Sequence, residues 1–278
     1  MTRIEIWLRS ILRKAGLTRY LRFHWTIRWK WYQHVYRRIH PDRLEVGLDG
    51  WTAVMLVGSE GEYTMLRSKK EDYALMRLLG ERLPRGGCYW DVGSSVGFYA
   101  VLAARMVGED GQVVAFEPEP LSRERLQQNV EANGLTNVRI LPLALGRKRG
   151  TFKLAVEAAF TAGSHQVVPF DSGATVSGRR LVDVEVVTGD ELRRSSVAPL
   201  PMPDALKIDV EGAELDVLTG LEATLRDSRC RTLLCEVHFS LLETRGLRDG
   251  PLQVEHALRD CGFGSLRWVD RSHLLACK

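Results

Sequence analysis

Along residues 4–39 apolar side chains recur at three- and four-residue steps. Ile4, Trp7, Leu8, Ile11 and Leu12 form one stripe, with Arg9, Arg13 and Lys14 between them and Gly16 as a stop. Leu21, Trp25, Trp29, Tyr32, Tyr36 and Ile39 form a second stripe, flanked by Arg22, Arg28, Lys30, Arg37 and Arg38 and ended by Pro41. Two basic, aromatic helices are predicted here. Residues 43–67 read as strands around the turn pairs Asp49-Gly50 and Glu60-Gly61, and 70–82 as a helix stopped before Pro84. From residue 88 short apolar runs alternate with helical periodicity. The runs 88–92, 112–116, 138–143, 206–210 and 232–237 are predicted strands; helices are predicted near 96–106, 120–133 and 213–226. This alternation implies an α/β fold, a mostly parallel sheet with helices on both faces. Residues 151–156 and 181–187 read as extra strands of an insertion, joined by a Gly- and Ser-rich loop over 161–180. Residues 265–269 and 273–277 read as a closing antiparallel pair.

The 278 residues, 45% apolar and 27% charged, suit one globular domain with an appendage. The division expected is a basic, Trp-rich segment over 1–42 and a main domain over 43–278, with 43–84 as a small strand and helix subregion. Net charge is +4, but residues 1–43 hold eleven Lys or Arg against only Glu5 and Asp42, while the remainder holds 28 basic and 33 acidic residues. A mildly acidic body argues against a nucleic-acid partner. The basic segment, which carries four of the seven tryptophans, has three readings: packing on the main domain or a second copy in a homo-oligomer, a membrane interface contacted through residues 4–39, or a targeting peptide. No run of 18 apolar residues occurs and no secretory stretch opens the chain, so no transmembrane helix is expected. The odd set Cys88, Cys230, Cys235, Cys261 and Cys277 has no metal spacing and excludes a complete disulfide framework. A cytoplasmic location follows as the expectation, with peripheral contact at the inner membrane face if the basic segment serves that role.

The chemistry concentrates in two clusters. Asp91-Val-Gly93-Ser94-Ser95-Val-Gly97 ends a strand and opens a helix, where backbone N–H groups are expected to face an anion. Twenty residues after Gly97, Glu117 ends the next strand with Pro118 behind it, a place where a carboxylate accepts ribose hydroxyls. The pair is an adenosine cradle. The loop reads G-x-x-x-G, without the G-x-G start that admits a pyrophosphate, and Asp91 would repel a diphosphate while accepting from an ammonium. Both points favour S-adenosylmethionine over a nicotinamide dinucleotide. Ala144, in Leu141-Pro-Leu-Ala144-Leu-Gly146, is expected beside the adenine.

The second cluster is Lys207-Ile-Asp209-Val-Glu211-Gly-Ala-Glu214. Asp209 closes a buried strand, where open α/β sheets place their sites and where a charge is costly unless paired or used. Glu211 and Glu214 are also explained as acids in the first turn of a helix. Downstream, Glu236 and His238 fall on one side of a strand by alternation. His238 reads equally as a general base or a structural histidine.

Residues 85–240 resemble the FkbM family of S-adenosylmethionine-dependent methyltransferases. The resemblance rests on Asp91-Val-Gly-Ser-Ser-Val-Gly-Phe-Tyr99, Phe116-Glu-Pro118, Asn129 with Asn133, Ala144-Leu-Gly146, Thr188-Gly-Asp190, the Lys207–Glu214 cluster, Gly220 and Glu236. Ser94 and Ser95 stand where the family usually has Ala and Asn, and Gly189 where it has Leu. The resemblance implies a class I methyltransferase fold, Rossmann-like with seven strands, and O-methylation of sugars, polyketides or related metabolites. On that expectation Asp209 or His238 accepts the hydroxyl proton, with Glu211 or Glu236 in support. A metal-assisted variant would use Asp209, Glu211, Glu214 and Glu236 as oxygen ligands, although no metal is needed by the main reading. The competing classes are a nicotinamide-dependent oxidoreductase and a membrane-recruited module that keeps the cofactor fold without catalysis.

Overall fold

A computed structural model describes residues 42–58, 62–63, 66–67, 70–157, 165–168 and 179–278. The two N-terminal helices, the membrane reading attached to them and the Glu60-Gly61 turn lie outside the described residues.

The strands β1 (Arg43–Leu48) and β2 (Trp51–Leu56) form a hairpin about Asp49-Gly50, both with positive φ as a tight hairpin turn requires. The helix α1 (Lys70–Gly80) follows. Then come β3 (Cys88–Val92), α2 (Phe98–Val107), β4 (Gln112–Phe116), α3 (Pro120–Ala132) and β5 (Val138–Leu141). β3 is buried along its whole length, and α2 is buried on nearly every side, so both read as apolar runs rather than alternations.

The expected strand 138–143 is divided. Pro142 has no N–H to give a ladder, and the chain switches sheets there to β6 (Leu143–Leu145). β6, β7 (Gly150–Glu157), β8 (His165–Val168) and β9 (Arg179–Val187) make a separate sheet in the order β6-β9-β7-β8. Within the loop expected over 161–180, residues 165–168 are thus a strand paired with β7 and residues 179–180 open β9; the rest of that loop lies outside the described residues.

After α4 (Gly189–Arg193), β10 (Ala205–Ile208) returns to the main sheet. The single helix expected over 213–226 is two: α5 (Glu214–Gly220) and α6 (Glu222–Arg226). They part at Leu221, with φ −113° and ψ 6°, and Gly220 before it is required by contact, because a Cβ there would stand 2.0 Å from the Gly146 carbonyl oxygen. Next come β11 (Thr232–Glu236), the unforeseen helices α7 (Phe239–Thr244) and α8 (Gly250–Asp260), and the antiparallel pair β12 (Ser265–Trp268) and β13 (His273–Cys277).

Among the described residues, seven strands form the main sheet in the order β12-β13-β11-β10-β3-β4-β5. β11, β10, β3, β4 and β5 are parallel, and β13 is antiparallel to β11. The expected class I methyltransferase architecture is the one observed. Apolar clusters cover both faces, one around Tyr89, Leu102 and Leu126 and the other around Trp90, Ile208 and Leu221.

Two asparagines of α3 bind the hairpin to this core. Asn133 accepts from Val54 N and donates to Val54 O, in the manner of a neighbouring strand. Asn129 accepts from Leu56 N at 2.7 Å and donates to Val96 O at 2.8 Å, inside the glycine loop. The inserted sheet is fastened on the other side, where Arg180 of β9 meets the fully buried Glu119 at 2.7 Å.

Candidate active site

The carboxyl ends of β3, β4 and β10 open into a cleft of about 670 Å³. Gly93, Ser95, Glu117, Pro118, Ala144 and Asp209 line it, so six of the cofactor residues read from the sequence come together. Leu154 of the inserted sheet adds an apolar wall, with Val210 and Ala213. Nothing in the sequence marked Leu154, which sits in an ordinary strand pattern.

The glycine loop has a different internal economy from the one expected. The N–H groups of Gly93 and Ser94 donate to Phe116 O, that of Ser95 to Glu117 Oε2, and that of Gly97 to Ser94 O. These four donors are spent inside the protein, so the row of N–H groups predicted to face an anion is absent over Gly93, Ser94, Ser95 and Gly97. A diphosphate would find none of them free. Gly93 is required by contact, since a Cβ would lie 1.8 Å from the Asp209 carbonyl oxygen, and its φ is +85°. Gly97 and Ser94 support the loop without lining the cleft: Gly97 packs on Leu126, and Ser94 Oγ donates to Asp91 O.

Glu117 is buried, and its two oxygens accept from Ser95 N and Glu119 N at 2.7 and 2.8 Å. Each oxygen keeps a further lone pair for a ribose hydroxyl. Burial pushes its carboxyl up to about 8. Asp91 lies beneath the loop at 1% exposure, and neither of its oxygens has a hydrogen-bond partner. Burial raises it to about 6, against the opposing field of Lys207. Glu211, at a left-handed φ of +50° on the cleft wall, is likewise raised by burial to about 7. A cleft that stores this much reluctant negative charge suits a cationic guest. S-adenosylmethionine, with its sulfonium and ammonium, fits that donor set, and the paired cis-hydroxyls of its ribose fit Glu117.

Beside the cleft lies a second constellation. The Lys207 ammonium, buried over the Tyr99 ring at 4.6 Å, holds Asp209 Oδ2 at 2.7 Å. His238 follows β11, and its Nδ1 is 2.7 Å from Oε1 of the fully buried Glu214. That contact leaves Nε2 facing Asp209 Oδ1 and Glu236 Oε1, each at 3.8 Å. Burial opposes charge on His238, but Glu214, Asp209 and Glu236 together raise it to about 9. His238 therefore carries a proton at neutral pH. Glu214 gives Oε1 to Gly212 N and His238 and keeps Oε2 buried without a partner, and the oxygen-ligand set of Asp209, Glu211, Glu214 and Glu236 is not brought together among the described residues. Among the described residues, the ligand atoms that do cluster, within 4.8 Å of one another, belong to Asp209, Glu236 and His238.

The model of the methyltransferase FkbM domain matches residues 91–264. A hexuronic acid methyltransferase, AglP, of Haloferax volcanii is 29% identical over 193 residues, covering 69% of this chain and 72% of its own length. The methyltransferase sdnD of Sordaria araneosa is 28% identical, covering 66% of this chain and 76% of its own. A crystal structure of an FkbM methyltransferase from Methylobacillus flagellatus KT superposes with a TM-score of 0.44 at 16% identity, over 69% of this chain. The chain spans 43% of the length of that structure.

Proposed function

The chain belongs to the methyltransferase FkbM family, and from that premise we propose that it methylates a hydroxyl of a sugar, glycan or related secondary metabolite. The cofactor is S-adenosylmethionine, which replaces the nicotinamide alternative. When bound, it supplies a methyl group on a sulfonium already activated for displacement.

The observation that carries the hydroxyl reading is the ring formed by Asp209 Oδ1, Glu236 Oε1 and His238 Nε2. The 3.8 Å from Nε2 to Asp209 Oδ1 is too long for a direct hydrogen bond and is a span that an oxygen between the two would bridge. A hydroxyl there can donate its one proton to Asp209 and accept from charged His238, which leaves Glu236 to act on the charged ring rather than on the hydroxyl. Asp209 is the only member of the ring that also lines the cofactor cleft. It is the base in this reading: it takes the hydroxyl proton as the new C–O bond forms and the C–S pair returns to sulfur. Charged His238 donates to the same oxygen and fixes its direction, and Glu236 Oε1, 3.8 Å from Nε2, sustains the charge on that ring. The remaining contribution is alignment of the three reacting atoms. Glu117 and Pro118 hold the ribose end, Ala144 and Leu143 the adenine end, and Asp91, beneath the loop and outside the lining, acts on the cation through its charge alone.

The relative that acts on hexuronic acid makes sugars the first acceptors to try. The test is transfer of labelled methyl from S-adenosylmethionine to methyl glycosides of neutral hexoses and hexuronic acids, and to lipid-linked sugars. Labelled ether products that vanish in Asp209→Asn support the proposal. Wild-type-like turnover in that variant removes Asp209 as the base.

A further inference from the structure

His273 lies beyond residue 264, where the family match ends, and outside every motif read from the sequence. It is nevertheless built into the ring. β13 pairs with β11 so that His273 stands directly across from Glu236. Its Nε2 stands 3.3 Å from Glu236 Oε2, the oxygen that does not face His238, an ion-pair contact outside hydrogen-bond geometry. Its other nitrogen is held at 2.9 Å by Asp270 Oδ2. Asp270 also accepts from Ser272 N and His273 N, both at 2.8 Å, so the turn between β12 and β13 is folded around this carboxylate. The side chain is 11% exposed and held on both nitrogens.

We propose that His273, oriented by Asp270, is a positioning residue for methyl transfer, fixing Glu236 so that its free oxygen completes the ring with Asp209 and His238. A glutamate has three side-chain torsions, and a carboxylate at a strand end without such a partner samples several rotamers. With one oxygen pinned to His273, the other is aimed at the space before His238 Nε2. His273 touches neither the cleft nor the acceptor in this arrangement; it acts through Glu236. Residues placed this way commonly affect turnover with little effect on ground-state binding.

The inference rests on the hydroxyl-methylation reading, and two measurements keep their failures apart. The first is a double-mutant cycle in the intact chain, with kcat and KM for whichever methyl glycoside of the panel wild type methylates. His273→Ala and Glu236→Gln are each expected to lower kcat by about tenfold or more, with KM for S-adenosylmethionine within about twofold of wild type. The double variant should be no slower than Glu236→Gln alone, and His273→Gln, whose amide can still donate, should recover part of the rate. Losses that multiply, or a His273→Ala loss confined to melting temperature, overturn the proposal. The second measurement needs no acceptor: ring nitrogen spectra of His238 in labelled protein saturated with S-adenosylhomocysteine. The His238 signals should move in His273→Ala while S-adenosylhomocysteine affinity stays within about twofold. Unmoved signals overturn the proposal even where the glycosides are methylated. If wild type methylates none of the panel, the acceptor reading fails and this second arm still decides the inference.

Discussion

His238 Nδ1 lies 2.7 Å from Oε1 of Glu214, a carboxylate with no exposure to solvent. The contact fixes both the direction of the ring and its charge. A histidine raised to about 9 stabilises the fold fully below its unfolded value of 6.5 and loses that contribution as pH passes about 9. Turnover should therefore hold up to about pH 9 and fall above it, because the charged ring is the donor to the acceptor oxygen. A rate that instead climbs through pH 9 would make neutral His238 the base and demote Asp209. The measurement is a kcat profile from pH 6 to 10.

Glu117→Gln keeps the shape of the ribose end and removes a charged acceptor. Hydrogen bonds to charged groups are worth roughly 1.5–3 kcal/mol, so cofactor affinity should drop by about ten- to a hundredfold. Calorimetric titration of S-adenosylmethionine into the variant checks it. An unchanged dissociation constant would take the ribose away from Glu117.

Cofactor binding should release protons. Asp91, Glu211 and Glu117 titrate at about 6, 7 and 8, so each retains proton near neutrality in the cofactor-free protein. A cation in the cleft favours their charged forms and expels those protons. The folded state also binds more protons than the unfolded one over this range, so cofactor-free stability should fall as pH rises from about 4 to about 8. Calorimetry at pH 6.5 in two buffers of different ionisation enthalpy should give different apparent heats, with the sign of release. Equal heats would refute the argument.

Asn129→Ala should destabilise by about 2–4 kcal/mol, because it strands the buried Leu56 N and Val96 O at once. Since Val96 belongs to the glycine loop, S-adenosylmethionine affinity should weaken in parallel. Denaturant melts and a binding titration on the same sample test both halves. Loss of stability with unaltered affinity would show that the loop keeps its shape unaided.

Much of the parallel sheet was legible in the sequence. Cys88–Val92 and Gln112–Phe116 are short apolar runs with sharp boundaries, and Gly93 and Pro118 stand just beyond them. The strand ends carry the site, so Asp91, Glu117 and Asp209 were legible with them. What escaped depends on contacts distant in sequence. The close approach of Gly220 to Gly146 joins residues far apart in the chain, and the partnership of His273 with Glu236 depends on the register of two antiparallel strands. The spent N–H groups of the glycine loop escaped for a subtler reason: the sequence shows that donors exist there, while their acceptors, Phe116 O and Glu117, sit on another strand.

Asn129 and Asn133 fasten a whole hairpin through side-chain amides, and one of them holds the glycine loop with its other hand. Mechanically, the hairpin is a lever with its fulcrum on α3. A displacement of β2 would be delivered at Val96, whose neighbour Ser95 donates its N–H to Glu117.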